Sequence, residues 1–485
     1  MIFSSSIFTM YFLPVVLIAG ILLDRKFRNV FLLLASLFFY AWGAPVFVFV
    51  VAGSVIADFF ILREMAVSEK VKKKTLFWLS VILNLGLLLY FKYMNFFVDQ
   101  VHDIAGWFGV KPGEWVRIGL PVGISFITFQ KLAYTFDVSR KTIKPFRKIQ
   151  DYALYIFMFP QLLSGPIVRP GQIAPQITGS TGPDTINEKL TGFYRFAIGL
   201  AKKVLIADAL ATTVNQIFST VPSDLSTGLA WAGAIGYTFQ IYFDFSGYTD
   251  MAIGIARMLG FRLPENFNSP YVSGSITEFW RRWHMTLSSW FRDYVFLPVA
   301  YSVSRKMPKE RYIGLKADKV IYLIATSVTF LLCGFWHGAA WTFILWGAYQ
   351  GVFLIIDRLF LLKFFKKTGR IPAVILTFMV TVIGWTMFRS DSLIYFKEYL
   401  HKMFSFTSGI SDIWLNSKFW TMICLAAFFS FWGFFKKVGN WSEKLYSDPG
   451  NRTIILFTIL AVLLFILSEA AITSTGFSPF IYFRF

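Results

Sequence analysis

Residues 320–356, VIYLIATSVTFLLCGFWHGAAWTFILWGAYQGVFLII, run without a single aspartate, glutamate, lysine or arginine. A helix needs about 20 mostly apolar residues to cross a bilayer, at ~1.5 Å of rise each through ~30 Å of hydrocarbon. The stretch therefore holds two crossings, 320–337 and 341–357. Lipid offers no hydrogen-bond partners, so both must be helices rather than open strands. Working outward, comparable apolar runs occupy 7–23, 30–42, 45–62, 75–98, 119–138, 200–219, 229–256, 371–388, 418–436 and 452–473. The chain reads as an all-α polytopic membrane protein with about twelve crossings.

Several runs are shorter than a full crossing, and a helical hairpin turning at Gly43-Ala44-Pro45 fits 30–62. Residues 152–166 contain Pro160, Gly165 and Pro166, which interrupt helical hydrogen bonding. That segment reads as re-entrant, packed inside protein rather than against lipid. The largest polar stretch, 167–194, carries Pro170, Gly171, Pro175, Gly179, Gly182 and Pro183 and reads as a loop. No linker separates a soluble domain, so residues 1–485 read as one integral-membrane domain.

Composition agrees. Of 485 residues, 56% are hydrophobic and only 15% charged, against about 25% charged in soluble domains. A soluble enzyme, a disordered chain and a disulfide scaffold are excluded. The net charge of +20 comes from short clusters between apolar runs, which suits cationic loops of a membrane protein better than a nucleic-acid surface. Those clusters are Arg25, Lys26 and Arg28; Lys70 and Lys72 to Lys74; Arg140 to Lys148; Lys202 and Lys203; Arg305 to Arg311; Lys363 to Arg370; and Lys436 with Lys437. The positive-inside rule assigns them to the cytoplasm, with loops 99–118 and 220–228 outside. Both chain termini then lie outside the cytoplasm, and no cleavable signal peptide is evident. Cys333 and Cys424 form neither a metal knuckle nor a disulfide framework.

Ionisable groups inside membrane segments are costly and tend to mark function. His102 and His401 sit in polar loops and read as surface. His337 closes FLLCGFWHGAAW (330–341) with apolar sequence on both sides. A buried imidazole resists gaining charge and would stand as a neutral base. Gly334 and Gly338 form a small-xxx-small pair, which equally suits a packing histidine at a close helix contact. His284 lies in SITEFWRRWHMTLSSWFRDY (275–294). At 100° per residue, Ile276, Phe279, Trp280, Trp283, Leu287, Trp290, Phe291 and Tyr294 form one stripe, with Glu278, Arg281, Arg282, Ser288, Arg292 and Asp293 opposite. This predicts one amphipathic helix at the cytoplasmic membrane boundary, His284 at the edge of its apolar stripe. Its aromatics would serve equally well as headgroup anchors.

Asp244 and Asp250 interrupt the apolar span in QIYFDFSGYTDMAIG (240–254). They would orient a catalytic histidine, or bond Arg281, Arg282 or Arg257 and hold helices together. With His337 they would also suit a proton-coupled transporter or flippase. ENFNSPY (265–271) suits a tight buried loop with no chemistry demanded. Walker, HExxH, dinucleotide and Gly-x-Ser-x-Gly motifs are absent.

FWRRWHMTLSSWFRDYVFLPV (279–299) and LLCGFWHGAAWTFILWG (331–347) resemble the two histidine blocks of the membrane-bound O-acyltransferase family. GISFITFQKLAYTFDVSR (123–140), FPQLLSGPIVRP (159–170), YFDFSGYTDMAIG (242–254), ENFNSPY, the opening MIFSSSIF and the closing PFIYFRF resemble its bacterial alginate O-acetyltransferase branch. The resemblance implies a ring of tilted helices, with re-entrant and amphipathic helices, around a central funnel in a bacterial inner membrane. It implies His337 and His284 as catalytic, supported by Trp336, Gly338, Trp283, Asp244 and Asp250. It implies no tightly bound cofactor and no metal; an acyl thioester such as acetyl-CoA enters as substrate from the cytoplasm. Arg281, Arg282 and Arg292 would hold its phosphates. His337 would deprotonate the acceptor hydroxyl, while His284 would polarise the thioester carbonyl or orient the acceptor; an acyl-histidine intermediate is the other route. The expected partners are membrane lipid, an extracytoplasmic acyltransferase and a cell-surface polysaccharide such as alginate. Peptidoglycan, cellulose or another glycan would take the same chemistry, and D-alanine transfer to teichoic acid fits less well.

Overall fold

The computed structural model describes residues 1–111, 113–179, 185–312, 314–435, 451–475 and 480–481. Lys436, Lys437, Gly182, Pro183 and most of the closing PFIYFRF lie outside the described residues. Among the described residues the structure is mainly helical, and the strands are one short antiparallel pairing of Arg311–Tyr312 with Leu315–Lys316. Most of each of the twelve apolar runs falls on helix among the described residues. Among the described residues, six helices are long and apolar enough to cross a membrane: Lys70–Trp107, Ala317–His337, Trp341–Thr368, Arg370–Arg389, Ser417–Phe434 and Ile454–Ser474. Others are shorter, such as Phe8–Leu22, or carry charge, such as Thr227–Met258 with Asp244, Asp250 and Arg257.

The chain divides into two compact units, one of residues 1–192 with 252–264 and one of residues 193–251 with 265–485. In the first, helices Arg25–Gly43 and Phe47–Val67 are separated at Ala44, as the Gly-Ala-Pro turn predicts. The interrupted segment is helix Ile149–Phe157, a break at Met158, and one turn Phe159–Leu162. Every residue from Leu154 to Val168 is buried, and the freed Phe159 N–H donates to Ser36 Oγ at 3.1 Å. Gly165 is required there, because a Cβ would lie 2.6 Å from the Pro160 carbonyl oxygen. Residues 167–194 are not the loop that their prolines and glycines suggest. Pro170 opens helix Pro170–Thr178, Gln172 Oε1 accepts the Arg169 N–H, and another helix starts at Ile186. Proline at a first helical position is already set at the right φ, so it starts this helix rather than breaking it.

In the second unit, Ala317–His337 and Trp341–Ile356 form a tight hairpin. The small residues that bring the two together are Gly334 and Gly347, one from each helix: a Cβ on Gly347 would sit 2.9 Å from the Gly334 Cα. Gly338 lies past the helix end in extended backbone, against the Phe343 ring, so the expected Gly334–Gly338 pair does not share one helix face.

The predicted single helix over 275–294 is two, Ile276–Arg282 and Met285–Phe291, followed by a wider turn Arg292–Phe296. Its start is capped by side chains: Ser275 Oγ at the N-cap accepts the Glu278 N–H at 3.0 Å, and Glu278 Oε2 accepts the Gly274 N–H, one residue before the cap, at 2.9 Å. The break comes from the 265–271 loop. Asn268 N–H donates to Arg282 O, and Met285 N–H donates to Asn266 O, both at 2.9 Å. These bonds replace the helical ladder and leave His284 at φ +42°, in the left-handed region. All eight residues of the apolar stripe are still buried.

Candidate active site

His284 is completely buried rather than poised at a stripe edge. Its Nδ1 lies 3.1 Å from Asn266 Oδ1, and its ring stands edge-on to Phe245 at 4.7 Å. His337 is the last residue of its helix. Three aromatic rings box it: Trp336 at 4.9 Å, Trp346 at 5.0 Å and Phe388 at 5.3 Å, each at a steep angle. The Trp336 indole also reaches the His284 ring, at 6.4 Å between centroids. One indole thus bridges both histidines.

More tryptophans close the surround. Trp346 stacks on Trp385 at 5.8 Å, Trp385 meets Trp283 at 4.7 Å, and Trp280 meets Trp346 at 5.8 Å. Trp280 Nε1 donates to Gln350 Oε1 at 3.3 Å, which ties the broken helix to the histidine hairpin. The stripe that suits membrane anchoring is therefore interior, facing the second histidine block.

Burial among these aromatic side chains pushes the His284 imidazole down to about 3. The native state then holds no proton there at pH 5, whereas the unfolded chain takes one near 6.5. The stability contribution is full above about 6.5 and falls as pH drops toward 3. Thermal melts of detergent-solubilised protein should therefore show His284→Gln losing less stability than the parent between pH 7 and 5. The expected difference is up to ~1.4 kcal/mol per pH unit; parallel losses would count against a neutral buried ring.

The intramembrane carboxylates take partners other than those expected. Asp250 pairs with Arg195 at 2.9 Å and Lys202 at 2.6 Å, not with Arg281, Arg282 or Arg257. Asp244 pairs with Lys203 at 2.9 Å and accepts the Ile481 N–H at 2.8 Å. Lys203, assigned by charge to a cytoplasmic cluster, is 2% exposed and also holds Asp208. A buried carboxylate needs a countercharge, and helix geometry supplied the lysines of a neighbouring helix. Arg257 pairs with Glu188. Arg282 bonds Glu278 at 2.9 Å and the Asn268 carbonyl at 3.1 Å, Arg292 bonds Asp293, and Arg281 is exposed. Pattern reading missed Asn266 as the neighbour of His284, and Lys203 as the partner of Asp244. The one available signal was a pair of amide side chains within the apolar-flanked ENFNSPY.

The family model described as MBOAT, membrane-bound O-acyltransferase family, matches residues 147–397, an interval that contains both histidines. A probable alginate O-acetylase AlgI of Azotobacter vinelandii is 36% identical over the whole of both chains. The chain belongs to the membrane-bound O-acyltransferase family. A peptidoglycan O-acetyltransferase of Helicobacter pylori is 34% identical over 81% of the chain and 78% of the relative. A teichoic acid D-alanyltransferase of Bacillus subtilis is 30% identical over 55% and 68%. As a membrane-bound O-acyltransferase, the protein is a multi-pass membrane enzyme, which sets the transporter reading aside.

Proposed function

We propose that this O-acyltransferase takes acetyl from a cytoplasmic thioester, acetyl-CoA, and passes it across the bacterial inner membrane for O-acetylation of an alginate-like surface polysaccharide. One integral-membrane domain does so, with both termini outside the cytoplasm, and an extracytoplasmic acyltransferase completes delivery. The observation that carries the reading is the juxtaposition of His284 and His337 on the Trp336 indole within one buried aromatic enclosure. The full-length match to alginate O-acetylases supports the acceptor class.

Acyl transfer to a hydroxyl needs a base that is neutral before reaction and bears positive charge briefly during it. His337 takes that role. It ends its helix, so the partial negative charge of the last carbonyls favours the cation as it forms. Its aromatic box excludes water that would otherwise hydrolyse the thioester. The His284 imidazole, kept neutral by burial, faces the same reaction.

The test is purified protein in nanodiscs given radiolabelled acetyl-CoA, with and without the extracytoplasmic partner and alginate. Label should reach the polysaccharide only when all are present; label reaching peptidoglycan fragments instead would move the acceptor assignment. The arginines make a separate prediction. Removing the charge of Arg281 or Arg292 should raise the donor KM severalfold while kcat changes less. Arg292 already bonds Asp293, so equal losses in kcat and KM, or lost expression alone, would make it structural.

A further inference from the structure

We propose that Asn266 is a positioning residue that locks His284 in a single neutral tautomer, proton on Nδ1, so that Nε2 offers a lone pair to a substrate hydroxyl. The proposal rests on the reading of His284 as part of the acyl-transfer site and assigns it one of two possible roles there.

The deduction begins with a group whose role is fixed. The Thr286 backbone N–H can only donate, and it points to the Asn266 amide oxygen at 3.2 Å. Reversing the amide would set an NH₂ against that N–H, so the atom at this position is Oδ1. The Thr286 hydroxyl meets the same oxygen at 2.9 Å. His284 Nδ1 meets it at 3.1 Å, and an acceptor there requires the ring nitrogen to carry hydrogen. A neutral imidazole has one N–H, so the hydrogen bond at Nδ1 decides the state of Nε2.

The backbone holds this arrangement rigid. Asn266 is 1% exposed, its carbonyl accepts the Met285 N–H, and Asn268 N–H binds the Arg282 carbonyl on the other side of the helix break. The loop is thus stapled before and after His284, and the left-handed backbone at φ +42° is what turns the ring toward Asn266. Burial keeps the ring neutral across the physiological range.

The chemical consequence is selective. A ring whose Nε2 carries no proton cannot donate to a thioester carbonyl, so carbonyl polarisation by His284 is excluded. It accepts a hydrogen bond from a hydroxyl of the acceptor and orients that group for His337.

The test uses full-length protein in nanodiscs with ¹⁵N-labelled histidine, His284→Gln identifying the His284 signals by their loss. A pyrrole-type Nδ1 with a pyridine-type Nε2 is expected at neutral pH; the reverse pattern overturns the proposal, whatever the turnover. In acetyl-transfer assays Asn266→Leu should lose kcat by about 100-fold, within the range of a misplaced proton-handling group, with KM nearly unchanged. Asn266→Asp keeps an oxygen for all three donors and should restore most of that loss. A folded Asn266→Leu that transfers acetyl normally, or an Asp variant no better than Leu, also overturns it. Failure of the wider reading is distinguishable: it would leave His337→Ala active while the ¹⁵N pattern stood.

Discussion

His337→Ala is expected to lose acetyl transfer by at least 10²–10⁴-fold, the range a positioned general base contributes, while the protein still inserts and folds. The reason lies in the box around the ring. Trp336, Trp346 and Phe388 meet His337 on three sides, and these rings carry no basic nitrogen to take over its role. Truncation also leaves a void, and cavities cost about 24 cal/mol per Å³. A volume-conserving His337→Gln therefore belongs beside it: it fills the space and carries no base, so it should match the alanine variant in turnover and exceed it in melting temperature. Transfer at the parent rate by either folded variant would remove His337 from catalysis. Loss of activity in alanine with retention in glutamine would instead make the ring a packing element, the reading that Gly334 first invited.

Much of this architecture was legible in the chain, because lipid imposes length and polarity on every crossing. The apolar runs located the long membrane helices but not the polar ones, such as Pro170–Thr178 and Leu393–Phe404, and the eight-residue stripe over 276–294 correctly named the buried face. Periodicity was blind to the break at Trp283-His284. A helix interrupted for two residues and resumed keeps the same side chains inward, so the pattern looks unbroken. What breaks it is the 265–271 loop, whose backbone takes the hydrogen bonds of Arg282 and Met285; such a contact leaves no local signature. The ion pairs were hidden for a similar reason. Asp244 and Asp250 announced a need for countercharge, but Lys202 and Lys203 stood in what read as a solvated basic cluster. Only helix packing shows that Lys203 turns inward. Of the small-xxx-small pair, Gly334 does mark a close helix approach, to Gly347 on the next helix, whereas Gly338 lies past the helix end.

That close approach gives the second large effect. Gly347→Val is expected to yield little folded protein, and what survives should be inactive. A Cβ at position 347 falls 2.9 Å from the Gly334 Cα and well inside van der Waals contact distance of the Phe330 carbonyl oxygen. Neither neighbour is a flexible side-chain end, so the helices Ala317–His337 and Trp341–Ile356 must separate. Overpacking of this kind costs typically 1–3 kcal/mol, and rigid backbone atoms on both sides put the expected cost at the upper end or beyond. Separation also disturbs chemistry, since Trp346 adjoins Gly347 and packs on His337 at 5.0 Å. Gly351→Ala offers a graded comparison: its Cβ would meet the Phe330 side chain at 3.3 Å, a contact that a small shift relieves. Gly86→Ala in helix Lys70–Leu88 has nothing within 4 Å and should be neutral or slightly stabilising, by about 0.5–1 kcal/mol. Size-exclusion profiles and melting temperatures in detergent would rank the three. The order Gly86→Ala, Gly351→Ala, Gly347→Val from most to least stable follows from backbone contact alone; a Gly347→Val protein that melts and turns over like the parent would mean that the hairpin does not hold the histidine in place.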